Sequence, residues 1–168
     1  MTFSARYSPT AEIYLVEPNP QLLPYLERSR AEHRDGDRMH LVNRAASDRS
    51  DYVIFTVDEK WSGTSSAIGQ IEDPANLFKG SGPERSRELR VEAIRIDDLF
   101  AALPADRLRS LALKIDVEGY QGRVLQGMTS VLQRADRFLG IVEFDGRYLQ
   151  QAGTPPLGNR GALQTRRP

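Results

Sequence analysis

The chain has 168 residues and no cysteine, with 23 basic and 23 acidic side chains and a sequence pI of about 6.8. The length suits one domain with a real core; the lack of cysteine excludes disulfides, thiolate metal sites and a cysteine nucleophile. The charge balance argues against a nucleic-acid partner. No apolar run nears the ~18 residues of a membrane span or forms the core of a signal peptide, so we expect no membrane partner and a cytoplasmic location.

The first part of the chain predicts a strand, a helix and a second strand. Residues 11–16 (AEIYLV) are typical of a short buried strand, which ends at Glu17. Asn19, followed by proline, is a favourable N-cap for a helix over 20–32. Residues 39–43 predict the second strand.

The middle of the chain predicts a β-hairpin with a long connection. Residues 52–57 (YVIFTV) are rich in β-branched and aromatic side chains. Residues 58–87 show no sustained period and predict a surface loop, either functional or disordered. Residues 89–96 (LRVEAIRI) alternate and are expected to pair antiparallel with 52–57. Asp97 is expected to cap a short helix that ends at Leu103.

The last part predicts a central buried strand over 111–117 and another over 138–144. Between them, apolar side chains recur at helical spacing on one face: Tyr120, Val124, Leu125, Met128, Val131 and Leu132. Residues 150–168 are polar and predicted to be disordered. Alternating strands and helices over 1–149 predict an α/β domain with a largely parallel sheet and an inserted hairpin.

Acidic residues end the predicted strands, where parallel sheets bind ligands. Glu17 is placed to accept hydrogen bonds from ribose hydroxyls, or simply to favour the following helix electrostatically. Lys114 and Asp116 share a strand face, which Glu118 joins if the strand continues. Asp116 is placed to take a proton from a hydroxyl or hold a divalent ion. The alternative is a Lys–Asp pair that satisfies itself.

Three further features have weaker interpretations. Residues 61–66 (WSGTSS) are a candidate lid or substrate-contacting loop, or a plain solvated loop. Glu143 ends a strand on the same edge as Asp116 and either flanks the site or faces solvent. His33 and His40 lack ligand-like spacing, so we expect no zinc site.

Four segments together resemble the FkbM family of S-adenosylmethionine-dependent methyltransferases, in order and spacing. The most specific is KIDVEGYQGRVLQGM at 114–128; LVEPNPQLLPYLERS at 15–29, LVNRAASD at 41–48 and IRIDDLF at 94–100 are weak singly. The resemblance covers about 12–145. It implies a Rossmann-like class I methyltransferase fold, S-adenosylmethionine as cofactor, and methylation of a hydroxyl on a sugar or other small molecule.

The resemblance also implies roles for residues. Glu17 would bind the cofactor ribose, and Asp116 would sit beside the transferred methyl and the acceptor, as base or metal ligand. Lys114 and Glu118 would support Asp116. The adenine would lie against Ala45, Ala46 and Ser47, with a polar contact from Asn43 or Asp48. The acceptor would lie near Trp61, Ser65, Ser66 and Glu143.

The chain departs from the family at both ends. The family's first strand and its acidic-x-Gly-x-Asn-x-Gly loop should precede residue 11 and are absent. That strand would lie between those of 12–17 and 111–117, and its loop brings backbone close to the cofactor. The last β-hairpin is also missing. We therefore expect a truncated chain that alone binds S-adenosylmethionine weakly or not at all.

Three other functions stay open. A nicotinamide-dependent dehydrogenase shares the acidic second-strand end but needs a G-x-G-x-x-G turn and leaves KIDVEG unexplained. A non-catalytic remnant predicts no stabilisation by cofactor. A binding module that reused the fold is the third.

Overall fold

The fold is described for part of the chain. A computed structural model covers residues 10–58, 67 and 86–143. The candidate loop at 61–66 and the predicted disordered tail at 150–168 lie outside these residues. In the part described, no helix is long and apolar enough to cross a membrane.

The first elements are a parallel strand pair and its connecting helix. Strand β1 (Ile13–Val16) pairs in parallel with β2 (Met39–Val42). A 3-10 turn at Pro20–Leu22 leads into helix α1 (Leu23–Glu32) between them. The Asn19 side chain caps this turn, which confirms the predicted helix start.

The predicted β-hairpin is present. Strand β4 (Tyr52–Asp58) pairs antiparallel with β5 (Ser86–Ile94) along its whole length. The short strand β3 (Ala45–Ala46) pairs in parallel with the other edge of β5, so the order is β3-β5-β4. Helix α2 (Ile96–Leu99) follows and is shorter than predicted. Asp97 lies inside α2 and not at its cap, and its carboxylate accepts a backbone N–H from a later helix.

The last elements form a second parallel pair. Strand β6 (Ser110–Ile115) pairs in parallel with β7 (Arg137–Val142). The single helical pattern predicted between them is divided into α3 (Gln121–Gln126) and α4 (Thr129–Arg134). The structure is thus a mixed α/β arrangement with parallel strand pairs and one antiparallel hairpin.

One core joins the hairpin, α2 and the helices between β6 and β7. The predicted helical face supplies much of it, since Tyr120, Val124, Met128 and Val131 are buried. The remaining buried members come from the other elements: Ala45, Val53, Ala93, Ile96, Phe100, Leu108 and Ile115. The carboxyl ends of β1, β3 and β6 therefore meet around a common apolar centre.

Strand β6 is less buried than the sequence predicted. Ser110, Ala112 and Lys114 are exposed, and Leu111 and Leu113 are half-buried. In the described part of the chain, β6 pairs only with β7 and β1 only with β2. The predicted central buried strand is therefore only partly buried, because the side chains on one face of β6 are exposed.

Candidate functional site

A cavity of about 260 Å³ opens at the carboxyl ends of the strands. The segment between β1 and α1 and the turn after β6 both contribute to its lining. Small side chains of β3 and one aromatic of β4 also contribute, together with Ala67. The lining consists of Val16, Glu17, Pro18, Asn19, Leu22, Ala45, Ala46, Phe55, Ala67, Asp116, Val117, Glu118 and Tyr120. The structure thus brings together Glu17, Ala45, Ala46, Asp116 and Glu118 around one space.

The Glu17 carboxylate is held by its own chain. The backbone N–H of Asn19 donates to Glu17 Oε1 at 2.8 Å, and the Asn19 side chain accepts the N–H of Gln21 at 3.0 Å. Among the described residues nothing hydrogen-bonds to Glu17 Oε2. Burial raises the pKa of Glu17, and the Asn19 N–H partly opposes this. Glu17 therefore presents one uncommitted carboxylate oxygen in a partly desolvated wall.

Asn43 holds the backbone of the segment between β1 and α1. Its Nδ2 donates to the carbonyl oxygens of Glu17, at 2.8 Å, and Pro18, at 3.3 Å. The Glu17 N–H also donates to Val42 O at 3.0 Å. Asn43 is not part of the cavity lining. These bonds fix the Glu17 backbone to the end of β2, so Asn43 positions the turn that carries Glu17.

The Ala45–Ser47 segment contributes in two ways. Ala45 and Ala46 line the cavity with methyl groups, which leaves room for a flat ligand. Ser47 is completely buried and lies behind the lining. Its hydroxyl is 3.1 Å from the Tyr120 hydroxyl and donates to Asp48 Oδ1 at 3.0 Å. Ser47 therefore connects the β3 side of the cavity to the side that follows β6.

Asp48 completes this connection. Burial alone would raise the pKa of Asp48, but the Ser47 hydroxyl and the Arg123 guanidinium lower it below its usual range. Arg123 Nη1 lies 3.0 Å from Asp48 Oδ2. A charged Asp48 thus anchors α3 to the turn after β3 and, like Ser47, lies outside the cavity lining.

Asp116 and Lys114 pair side by side, as their shared strand face predicted. Lys114 Nζ donates to Asp116 Oδ2, and this bond raises the pKa of Lys114. The side chains are 61% and 40% exposed, so the pair is not buried. Asp116 lines the cavity and Lys114 does not. Lys114 thus holds one carboxylate oxygen of Asp116, and no described residue hydrogen-bonds to the other.

Glu118 does not continue the strand. It adopts φ of 41° and Gly119 φ of 89°, and the Tyr120 N–H closes the turn on Val117 O at 3.0 Å. Two successive positive φ values are typical of a type I′ turn. The left-handed conformation is costly for a glutamate, and this tight turn brings Glu118 to the rim beside Asp116. The sequence predicted that Glu118 would share the strand face of Lys114 and Asp116 only if the strand continued, and the strand does not continue to Glu118.

Two site residues escaped the sequence reasoning. Asn19 was taken only as a helix cap, yet it lines the cavity, is 2% exposed and holds Glu17. Tyr120 was taken only as part of an apolar face. A tyrosine hydroxyl needs a polar partner when buried, and this signal could have indicated a polar contact in the interior without identifying Ser47 as the partner.

The other predicted site residues have different surroundings. The Glu143 side chain is exposed and outside the lining, while its backbone carbonyl accepts Gln121 Nε2 at 2.6 Å. Trp61, Ser65 and Ser66 lie outside the described residues. Within the described ranges, no group of three His, Asp or Glu side chains is arranged to hold a metal ion.

The cavity lining therefore combines the carboxylates of Glu17, Asp116 and Glu118 with small apolar side chains. This lining suits a ligand that has both hydroxyl or amine donors and a flat apolar part. Three carboxylates do not favour an anionic ligand, and the lining of described residues includes no lysine or arginine.

Comparisons with known proteins identify the family. No curated protein matches the chain, and no solved structure matches it. One family model, described as the methyltransferase FkbM domain, matches residues 1–155, which is most of the chain. The strand-end acids, the alanines of β3 and the turn at Glu118 all lie within that match. The chain belongs to the FkbM methyltransferase family.

Proposed function

We propose that this chain carries the site of an S-adenosylmethionine-dependent methyltransferase that acts on a hydroxyl of a sugar or other small molecule. The observation that carries the proposal is the cavity whose lining includes Glu17, Asp116 and the alanines of β3. Membership of the FkbM family supports methyl transfer. The cofactor and the acceptor class are the parts that we propose.

The residues present fit the adenosine part of the cofactor. Glu17 Oε2 would accept the ribose hydroxyls, while Oε1 stays with the Asn19 N–H. Ala45 and Ala46 leave a shallow, apolar surface for the adenine ring. The backbone that carries Glu17 and the alanines is held in place by hydrogen bonds of Asn43, Ser47 and Asp48.

When bound, S-adenosylmethionine supplies a methyl group on a positively charged sulfur. In-line transfer of such a group depends mainly on positioning. Asp116 accepts the proton of the acceptor hydroxyl, and Lys114 orients its carboxylate. Glu118, on the adjoining turn, adds negative charge at the same rim. By the family resemblance, Trp61, Ser65 and Ser66 would contact the acceptor, and Glu143 would flank it.

The test is a titration of the isotope-labelled chain with S-adenosylhomocysteine, followed by NMR up to millimolar ligand. We expect shifts of the Glu17, Ala45 and Ala46 amides, even if binding is weak. Glu17→Gln keeps the shape and the Asn19 contact but removes the charge. It should weaken binding about tenfold, since a hydrogen bond to a charged group is replaced by a neutral one.

The same variant has a second readout. Burial raises the pKa of Glu17, so holding it charged at neutral pH costs stability, and Glu17→Gln should raise the melting temperature. Glu27→Gln, on the exposed side of α1, is the matched control and should change neither quantity. Absence of shifts at Glu17 and the two alanines would refute the cofactor site. Tighter binding of NAD⁺ than of S-adenosylhomocysteine would favour the dehydrogenase alternative.

A further inference from the structure

Strand β7 is exposed along most of its length. All residues from 137 to 141 are exposed, and Leu139 and Ile141 are each 62% exposed. One edge of β7 pairs with β6, and no described strand pairs with its other edge. An apolar strand with an open edge is a ready site for pairing with a strand of another chain.

Backbone direction determines which residues of β7 are available at that edge. The N–H groups of Arg137 and Glu143 donate to carbonyl oxygens of Arg109 and Ile115, both at 2.9 Å. The odd-numbered residues of β7 therefore point their backbone groups at β6. Successive residues of a strand point to opposite edges. The N–H and C=O groups of the residues between them thus face the open edge, namely those of Phe138, Gly140 and Val142.

Two copies of this edge fit each other in one antiparallel register. When Gly140 lies opposite its own copy, Phe138 of one chain lies opposite Val142 of the other. The backbone groups of these residues have no partner in a described strand, so each pair can exchange two hydrogen bonds. Leu139 then faces Ile141 of the second copy in a non-hydrogen-bonded pair, in which side chains approach most closely.

The charges of the strand agree with this register. The sequence Arg-Phe-Leu-Gly-Ile-Val-Glu runs from 137 to 143. Antiparallel pairing about Gly140 places Arg137 of each copy opposite Glu143 of the other. Both side chains are exposed, and neither forms an ion pair with another described residue within 4 Å. Parallel pairing in register would instead put like charges together.

We propose that β7 is an interface between two copies of this chain, which pair antiparallel about a two-fold axis at Gly140. The result is a four-stranded sheet with strand order β6-β7-β7-β6. The same patch serves both copies, so the assembly closes as a dimer. An interface of one strand pair is small, and its association is weak and concentration-dependent.

Analytical ultracentrifugation at about 10 μM and about 500 μM chain tests the proposal, because these concentrations bracket the dissociation constant of a weak dimer. The native chain should shift from monomer to dimer. Arg137→Glu or Glu143→Arg alone should raise the dissociation constant about tenfold, because each replaces two attractions by two repulsions. The double variant should return the dissociation constant to that of the native chain. Glu27→Arg, away from β7, is the control. A native chain that stays monomeric, or single variants that dimerise normally, would overturn the proposal.

Cysteine pairing tests the register itself, because the chain has no native cysteine. Residues in a non-hydrogen-bonded antiparallel pair have Cα atoms about 4.5 Å apart, within the range of disulfides. Mixed Leu139→Cys and Ile141→Cys chains should form a covalent dimer on mild oxidation, and neither variant alone should do so. Equal yields from the single variants would exclude this register.

Discussion

At the residue scale, position relative to the strand ends was predictable. Glu17 and Asp116 follow apolar strands, and the structure brings both to one cavity. Glu118 shows where such reasoning stops. Its positive φ depends on the turn closed by Tyr120 and Val117, and the alternation of a strand gives no sign of that turn. Asn43 was predicted to be near the site, but its hydrogen bonds to Glu17 and Pro18 depend on the alignment of β1 with β2.

The turn at Glu118 gives a prediction about stability. A left-handed conformation costs a non-glycine residue about 1–2 kcal/mol, while glycine costs about 0.5–1 kcal/mol in chain entropy. Glu118→Gly should therefore raise the free energy of unfolding by about 0.5 kcal/mol, measured by urea denaturation. Glu27→Gly, within α1, should lower it by about 1 kcal/mol. A loss at position 118 as large as that at 27 would show that side-chain contacts of Glu118 outweigh its backbone strain.

At the element scale, periodicity predicted the hairpin and the apolar face of the last helices. It did not predict the break between α3 and α4. Gly127 lies at this break, and a β-carbon there would be only 1.8 Å from Ser47 O. The Gly127 carbonyl also accepts the N–H of Asp97 at 2.9 Å. The break results from contact with distant parts of the chain, which local propensity cannot report.

Gly127→Ala should be strongly destabilising, because the added methyl group meets backbone that cannot rotate away. We expect a loss of about 3 kcal/mol in the free energy of unfolding, at the upper end of overpacking effects. Thermal or urea denaturation measures it. Gly122→Ala, within α3, is the comparison and should be neutral or stabilising by helix propensity. If the two substitutions had equal effects, the close approach to Ser47 would not determine this position.

At the scale of the whole molecule, the class of fold was predictable and the burial of β6 was not. A run of apolar residues indicates a buried strand only when other elements cover both faces. In the described residues, β6 has one neighbouring strand and an exposed face that bears Ala112 and Lys114. Which elements cover a strand depends on the fold of the whole chain, so the local apolar pattern overestimated the burial of β6.

A charge cluster joins three separate parts of the molecule and gives a pH prediction. Glu12, before β1, contacts His40 of β2 at 2.7 Å and Arg107 before β6 at 3.4 Å. The hydrogen bond with His40 is the largest cause of a lowered pKa at Glu12. A lowered pKa in the folded chain stabilises it above the ordinary value of 4.5, and this contribution is lost as the pH falls through the lowered pKa.

The melting temperature should therefore fall as the pH is lowered below about 4.5, and Glu12→Gln should reduce the part of that fall due to this cluster. Differential scanning calorimetry at several pH values measures the difference. Glu88→Gln, exposed on β5, should leave the pH profile unchanged. Identical profiles for Glu12→Gln and the native chain would exclude Glu12 as a contributor to acid sensitivity.

The buried contact between Ser47 and Tyr120 has a consequence for ligand selection. It joins the strand that carries Ala45 and Ala46 to the turn that carries Asp116. The backbone of Gly127 also lies against the carbonyl oxygen of Ser47. The distance between the alanines of β3 and the turn that carries Asp116 is therefore determined by packing in the interior. We therefore expect a ligand thicker than a planar ring to be disfavoured if widening this distance costs the buried hydrogen bond between Ser47 and Tyr120.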